Sequence, residues 1–338
     1  MSPPPPTLVA RFAIVANAGS TLSTYSIDAA TGTLQSTGNV ATNSPVSIAV
    51  DPAGRFAYAA NFTAGSVSAF SVDGNSGTLT PIGSPVPSGD NPRSVAVHPN
   101  GKFAYVANLA SDNIQAFAIN ASTGVLTPMG SAVATGDAPL ALALDPAGKF
   151  AYVVNSNDNT ISAFLINGST GALTATGSPL PTGTGPQSLM VHPSGQFVYV
   201  ANVGSQNISI FAIDANDGSL TPVVNPVASG GILPISLAGD PAGKFVYVAN
   251  FSSKSIAVFG VDPITGSLSP AGPAAPTEDG PTSIHVDASG KHLYVANLTA
   301  GSLSVFNTDP TTGALTSAGP PIATGTSPFS VITIAQRQ

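Results

Sequence analysis

The sequence has no cysteine and no tryptophan, and only 7% of its 338 residues carry charge. The first absence removes disulfides, thiolate metal sites and cysteine nucleophiles together. Soluble proteins usually devote about 25% of their residues to charge, so Ser, Thr, Asn and Gly must keep this one in water. No apolar run approaches the ~18 residues that a membrane-crossing helix needs, which excludes such a span. Nine basic residues stand against 16 acidic ones, a net charge of −7. That balance excludes nucleic acid as a partner, because phosphate neutralisation demands Lys and Arg. What is abundant is 35 Gly, 31 Pro and a 43% hydrophobic share, a composition suited to many short apolar elements separated by turns.

Those elements recur. RFAYAAN starts at Arg55, KFAYVAN at Lys102, KFAYVVN at Lys149, QFVYVAN at Gln196, KFVYVAN at Lys244 and KHLYVAN at Lys291, with a divergent copy, RFAIVAN, at Arg11. The steps are 44, 47, 47, 47, 48 and 47 residues, so the chain holds seven copies. A period in the forties suits a four-stranded propeller blade or a helical HEAT-type repeat. The copy from Pro92 to Asp137 decides between them. RSVAVH, KFAYVAN, NIQAFAI and VLTPMG are short runs bounded by turn residues, and none has the length of a helix. The fold class expected is all-β: a seven-bladed β-propeller with four antiparallel strands per blade, formed by one domain over residues 8–337.

Local chemistry agrees. DPAG at Asp51, Asp145 and Asp240, with HPNG at His98 and HPSG at His192, carries the Asp/Pro/Gly spacing of a type I turn. D-x-x-T-G-x-L at Asp28, Asp262 and Asp309 places Gly where a hairpin needs a left-handed residue. FAYVAN is apolar nearly throughout because a blade is covered on both faces. Within each copy a P-x-S strand precedes the YVAN strand, except in the first copy, which lacks one. The tail PFSVITIAQR supplies that missing type, so Ser330–Ala335 is expected to pair with Phe12–Asn17 and close the ring. The Pro-rich leader, residues 1–7, is expected to be a disordered polyproline stub rather than a signal peptide.

The FAYVAN/FVYVAN strand, the D-P-x-G turn and the T-G-x-L hairpin together resemble the YVTN-type and lactonase-like (6-phosphogluconolactonase-like) propellers. The resemblance covers residues 8–337 and implies the seven-bladed fold. That broad group includes sugar-lactone hydrolases, a cycloisomerase and many surface proteins, so the resemblance leaves the activity open.

Two rims follow from the repeat. One carries the turns, where most acids serve as caps. The other carries the loops after each YVAN Asn and before each P-x-S strand, and its irregularity marks it as the place for a site. It holds Asp90, Asp112, Asp137, Asp158, Glu278 and Asp279 against Arg93 and Lys254 alone, and Phe62, Phe251 and Phe329 break the aromatic register there. The expected ligand-binding set is therefore Asp90, Arg93, Asp137, Gln187, Lys254, Glu278, Asp279, Phe62, Phe251 and Phe329. Its partner is a small polar ligand or a protein. The main expectation is a non-catalytic binding or scaffold propeller, monomeric, and located outside the cell or in the envelope, with the cytoplasm as the alternative.

The competing expectation is a lactonase-like hydrolase acting on a sugar lactone at the same mouth, with His285, Glu278, Asp90 and Arg93 as candidate catalytic residues. Phosphate would call for several cations, so an unphosphorylated lactone is favoured. No H-x-H or HExxH spacing supports a zinc site. No cofactor is expected beyond a divalent cation on Glu278–Asp279 with Asp90 and Asp137. Seven Asn residues end the YVAN strands and are expected to satisfy loop backbone groups. Six N-x-S/T triplets, at Asn61, Asn120, Asn167, Asn207, Asn250 and Asn297, look like glycosylation acceptors that the repeat itself generates.

Overall fold

In FAYVAN (Phe103–Asn108) and its counterparts in the other six repeats, every residue is buried, from the Phe to the terminal Asn. A strand apolar on both faces needs cover on both, and flanking sheets supply it. The computed structural model describes residues 8–223 and 225–337. It shows seven antiparallel sheets, and in six of them inner, second, third and outer strands follow one another in space as in sequence. The Pro-rich leader lies outside the described residues.

Blade 3 gives the plan: Pro92–Val97 innermost, then Phe103–Asn108, Asn113–Ile119 and Leu126–Ala134. Only blades 1 and 3 have a continuous outer strand, Leu34–Ala41 and Leu126–Ala134. Elsewhere it is divided, as in Leu79–Pro81 and Val86–Pro87, both of which pair with Ser66–Val72. The division falls at Gly83-Ser84-Pro85, because proline has no N–H to offer a ladder. Short, interrupted edges resist pairing with other chains.

The ring closes as the motif order requires. Pro328–Arg337 pairs antiparallel with Leu8–Asn17, placing Val331 opposite Val15 and Ile334 opposite Phe12. The last strand of the chain is thus the innermost strand of blade 1.

Repeat-specific side chains hold blade to blade. The Tyr105 hydroxyl donates to the carbonyl of Gly171 in the next blade (2.9 Å), and Tyr199 does the same to Gly266 (2.9 Å). Across the closure, Tyr294 reaches Gly32 at 3.3 Å. Nε2 of His98 and of His192 lies 2.8 Å from the carbonyls of Gly148 and Gly243 in their following blades. A carbonyl only accepts, so that nitrogen carries the proton. His292 fills the slot that Phe holds in other blades, against Gly32 of blade 1, and its Nδ1 lies 3.0 Å from the buried Asp287 carboxylate. Three of the four histidines are therefore inter-blade or turn groups.

Candidate ligand site at the axial mouth

Seven inner strands converge on the axis, and each starts Pro-x-Ser or close to it. The residue before each proline has positive φ: Ser44 (55°), Asn91 (52°), Ala138 (56°), Gly185 (64°), Leu233 (58°), Gly280 (71°) and Ser327 (57°). Five of these are not glycine, and a pre-proline residue avoids helical conformations of either hand. The conformation is held because each carbonyl accepts an N–H from the loop after YVAN, as Ser44 does from Phe62 (3.0 Å) and Leu233 from Phe251 (2.8 Å). Non-glycine residues in this region cost roughly 1–3 kcal/mol apiece, so a ring of backbone strain surrounds the mouth.

Beyond the proline, two residues per blade line a cavity of about 130 Å³. The first tier is irregular: Val46, Arg93, Leu140, Gln187, Ile235, Thr282 and Phe329. The second is nearly uniform, serine in six blades and Ala141 in the seventh. The serines do more than save space. An inner strand is the free edge of its sheet, and its N–H groups need acceptors. Ser47 Oγ accepts from Val95 N–H (3.1 Å), Ser94 from Leu142 (3.1 Å), Ser188 from Leu237 (3.3 Å), Ser236 from Ile284 (3.2 Å) and Ser283 from Val331 (3.2 Å). Each of these serines is thereby tied to the next blade as an acceptor, which leaves its O–H to be donated elsewhere. The P-x-S pattern places a serine on these strands; its acceptor role shows only in space.

Arg93 is the single cation of the mouth. Its guanidinium carbon stands 4.3 Å from the centre of the Phe329 ring. Among the described residues no carboxylate lies within ion-pair distance of it, and its side chain makes no hydrogen bond. Burial pushes its pKa down to about 10, which leaves it charged at neutral pH.

His285 lies on the inner strand of blade 7, two residues past Ser283. Its Nε2 is 3.0 Å from Thr333 Oγ1 on the closing strand and it touches no serine hydroxyl. Met190 holds the same place in blade 5 and packs toward Gly239, the counterpart of Thr333. Burial pushes the His285 pKa down to about 4, the Asp287 charge opposing weakly, so the imidazole is neutral at pH 7.

Of the ten residues expected to bind ligand, Arg93, Gln187 and Phe329 come together at the mouth. The acids do not join them: the lining contains no carboxylate, so the mouth is cationic and hydroxylic, and the expected acidic character belongs to the surrounding loops. Ser111, Asp158, Ser205 and Ser253 share one loop position. Each accepts a backbone N–H from the neighbouring connection, of Asp90 (2.8 Å), Asp137 (2.8 Å), Thr184 (2.6 Å) and Ile232 (2.8 Å) respectively. Asp112 accepts the Ala138 N–H at 2.9 Å in the same spirit. Lys254 and Asp279 form an ion pair with both side chains about half exposed. Glu278 adjoins that pair in sequence, and Phe62 and Phe251 lie on loops outside the lining. Among the described residues no three His, Asp or Glu converge as a metal site would require.

The asparagine ring is a framework. Each Asn is fully buried, and five of the seven amides donate to hydroxyls of the third strand rather than to loop backbone, as Asn61 does to Ser68 (2.8 Å) and Asn297 to Ser304 (2.9 Å). Asn108 donates to Asn113 Oδ1, and Asn250 to the carbonyls of Ser229 and Val248. Burial also removes Asn61, Asn250 and Asn297 as modification acceptors, while Asn120 and Asn167 stand exposed at hairpin tips.

The family described as "Lactonase, 7-bladed beta-propeller" matches residues 20–141, 84–186, 137–237 and 235–332, successive overlapping stretches that run through the ring. No curated protein matches the chain. Among solved structures, a candidate 6-phosphogluconolactonase of Bacteroides uniformis is 22% identical with a TM-score of 0.86, over 96% of this chain and 99% of that one. A periplasmic gluconolactonase of Pseudomonas aeruginosa is 20% identical with a TM-score of 0.84, over 97% and 99%. A protein of Lactobacillus plantarum is 22% identical with a TM-score of 0.83, over 96% and 99%. At these identities the structures speak for the shared fold. Among the described residues no helix is long and apolar enough to cross a membrane.

Proposed function

The chain belongs to the seven-bladed β-propeller lactonases, and from that membership we propose that it opens the ring of an unphosphorylated sugar lactone at the axial mouth. The observation that carries the reading is Arg93, a half-buried guanidinium at the axis whose donors are all unspent. A neutral lactone carries no charge, but water attack on its carbonyl builds one negative charge, and the aldonate product keeps it. One fixed cation in a small, partly dry mouth favours both over the neutral ground state. Gln187 and the serine hydroxyls match the hydroxyls of a sugar ring. A phosphate would add about 1.5–2 further charges, and Lys254, the other rim cation, is already paired with Asp279.

Of the remaining candidates, His285 alone stands on an inner strand, but outside the lining of the mouth and with Nε2 against Thr333, and Asp90 and Glu278 belong to the connecting loops. The periplasmic Pseudomonas relative supports a place outside the cytoplasm.

Aldonolactone hydrolysis, followed by proton release, tests the proposal. Turnover is expected with glucono-1,5-lactone, lower turnover with its 6-phosphate, and a loss of about 100-fold or more in Arg93→Gln, the scale of removing one oxyanion donor. One observation favours a second reading. No carboxylate lines the mouth and the lone imidazole is a weak base, which suits a protein that holds an aldonate without turnover. Binding of gluconate with no hydrolysis of any lactone would decide for that reading.

A further inference from the structure

The contact between Arg93 and Phe329 spans two blades. Arg93 stands on the inner strand of blade 3, and Phe329 on the strand that closes blade 1; between them, in the first tier, blade 2 offers Val46, which can hydrogen-bond to neither. A long side chain with no hydrogen bond and no carboxylate partner among the described residues has many rotamers open to it. The ring face of Phe329, 4.3 Å from the guanidinium carbon, is the one directional contact Arg93 has, and such contacts strengthen as water is excluded. Its geometry matters. A guanidinium held over an aromatic ring needs no oxygen acceptor for its N–H groups, whereas an ion pair would consume them, and Arg93 makes no side-chain hydrogen bond among the described residues.

We propose that Phe329 is a positioning residue that holds Arg93 with its donors presented to the anionic end of the ligand. This inference rests on the lactone reading of the same mouth. The closing strand also supplies Ser330 to the lining and Thr333 to His285. The site is therefore assembled by ring closure: no part of the chain short of the last strand contains it.

The test separates the two layers of the proposal by measuring the reactivity of Arg93 to phenylglyoxal, mapped by peptide mass spectrometry with the exposed Arg11 and Arg55 as internal references. The Phe329 ring stands 4.3 Å from the guanidinium carbon and shields it on that side, so in Phe329→Leu the Arg93 rate should rise about three- to tenfold. In Phe329→Tyr it should stay at the wild-type value. An unchanged rate in Phe329→Leu, with melting showing a folded ring, would overturn the positioning role. Gluconate added to the wild type should slow modification of Arg93 and leave Arg11 and Arg55 alone. The same concentration should protect Phe329→Leu less. Absence of protection in the wild type, with the rate change in Phe329→Leu still present, would remove the lactone reading and leave the positioning role standing. Equal protection in both proteins would overturn the claim that the stack serves the ligand.

Discussion

At Gly280 the chain turns with φ at 71°, and a Cβ there would meet Thr299 Oγ1 at 2.4 Å. Ala138 and Leu233 adopt nearly the same angle in their own blades with side chains present, so the ring tolerates the strain where space allows. Gly280→Ala adds the strain and the clash together. It should destabilise the protein by about 1–3 kcal/mol, read as a lower midpoint in chemical unfolding. His285 makes a second prediction at this scale. Its pKa in the fold is near 4, while an unfolded histidine titrates near 6.5. Between these values the unfolded chain binds a proton that the folded one refuses, so stability falls as pH drops from about 6.5 to about 4 and this component levels off below. In His285→Gln that component should vanish, leaving a shallower slope over the same window. Equal slopes in the two proteins would show that the imidazole is not held neutral.

Elements depend on one another more than on their own propensity. The strand Pro328–Arg337 buries Val331 and Ile334 to 4% and 1% exposure, worth roughly 1.5–3 kcal/mol for each such side chain. Net stabilities of 5–15 kcal/mol are usual. Deleting residues 328–338 should therefore drop the melting temperature by many degrees or prevent folding, as followed by circular dichroism; an unchanged midpoint would contradict closure. This strand was legible in the sequence because the P-x-S type is missing before the first YVAN and present at the end. The doubly apolar FAYVAN and the turn motifs were legible for the same reason, since local chemistry specifies them. The mouth was only partly so. Arg93, Gln187 and Phe329 stood out as breaks in a repeat, but radius from the axis is not encoded in a pattern of residue types. Asp158 looked like a free acid because only the neighbouring blade shows that it replaces a latch serine. The acceptor role of the serine tier was not legible because the N–H groups it serves lie about one repeat away in sequence.

For the whole molecule, the economy of charge now has a structural meaning. Carboxylates go to turn caps, loop latches and one rim ion pair, tyrosine hydroxyls and two histidines go to inter-blade carbonyls, and five of the seven buried Asn amides go to hydroxyls of their own blades. Almost every polar group with a fixed place is engaged in holding seven similar sheets in a ring. Arg93 is one exception, at the point where all seven blades meet; the Oδ1 atoms of Asn17, Asn155, Asn202 and Asn250 and Thr176 Oγ1 are others, buried without a partner. The repeat explains the frame, and the departures from it at the first tier of the inner strands put unspent donors at the axial mouth, where the proposed function places the ligand. The measurement that reaches this claim most directly is a crystal structure of the protein with gluconate. The carboxylate should lie within hydrogen-bond reach of the Arg93 guanidinium, on the axis, with the sugar hydroxyls toward Gln187 and the serine tier. Gluconate bound elsewhere on the ring, with Arg93 untouched at saturating concentration, would contradict the account.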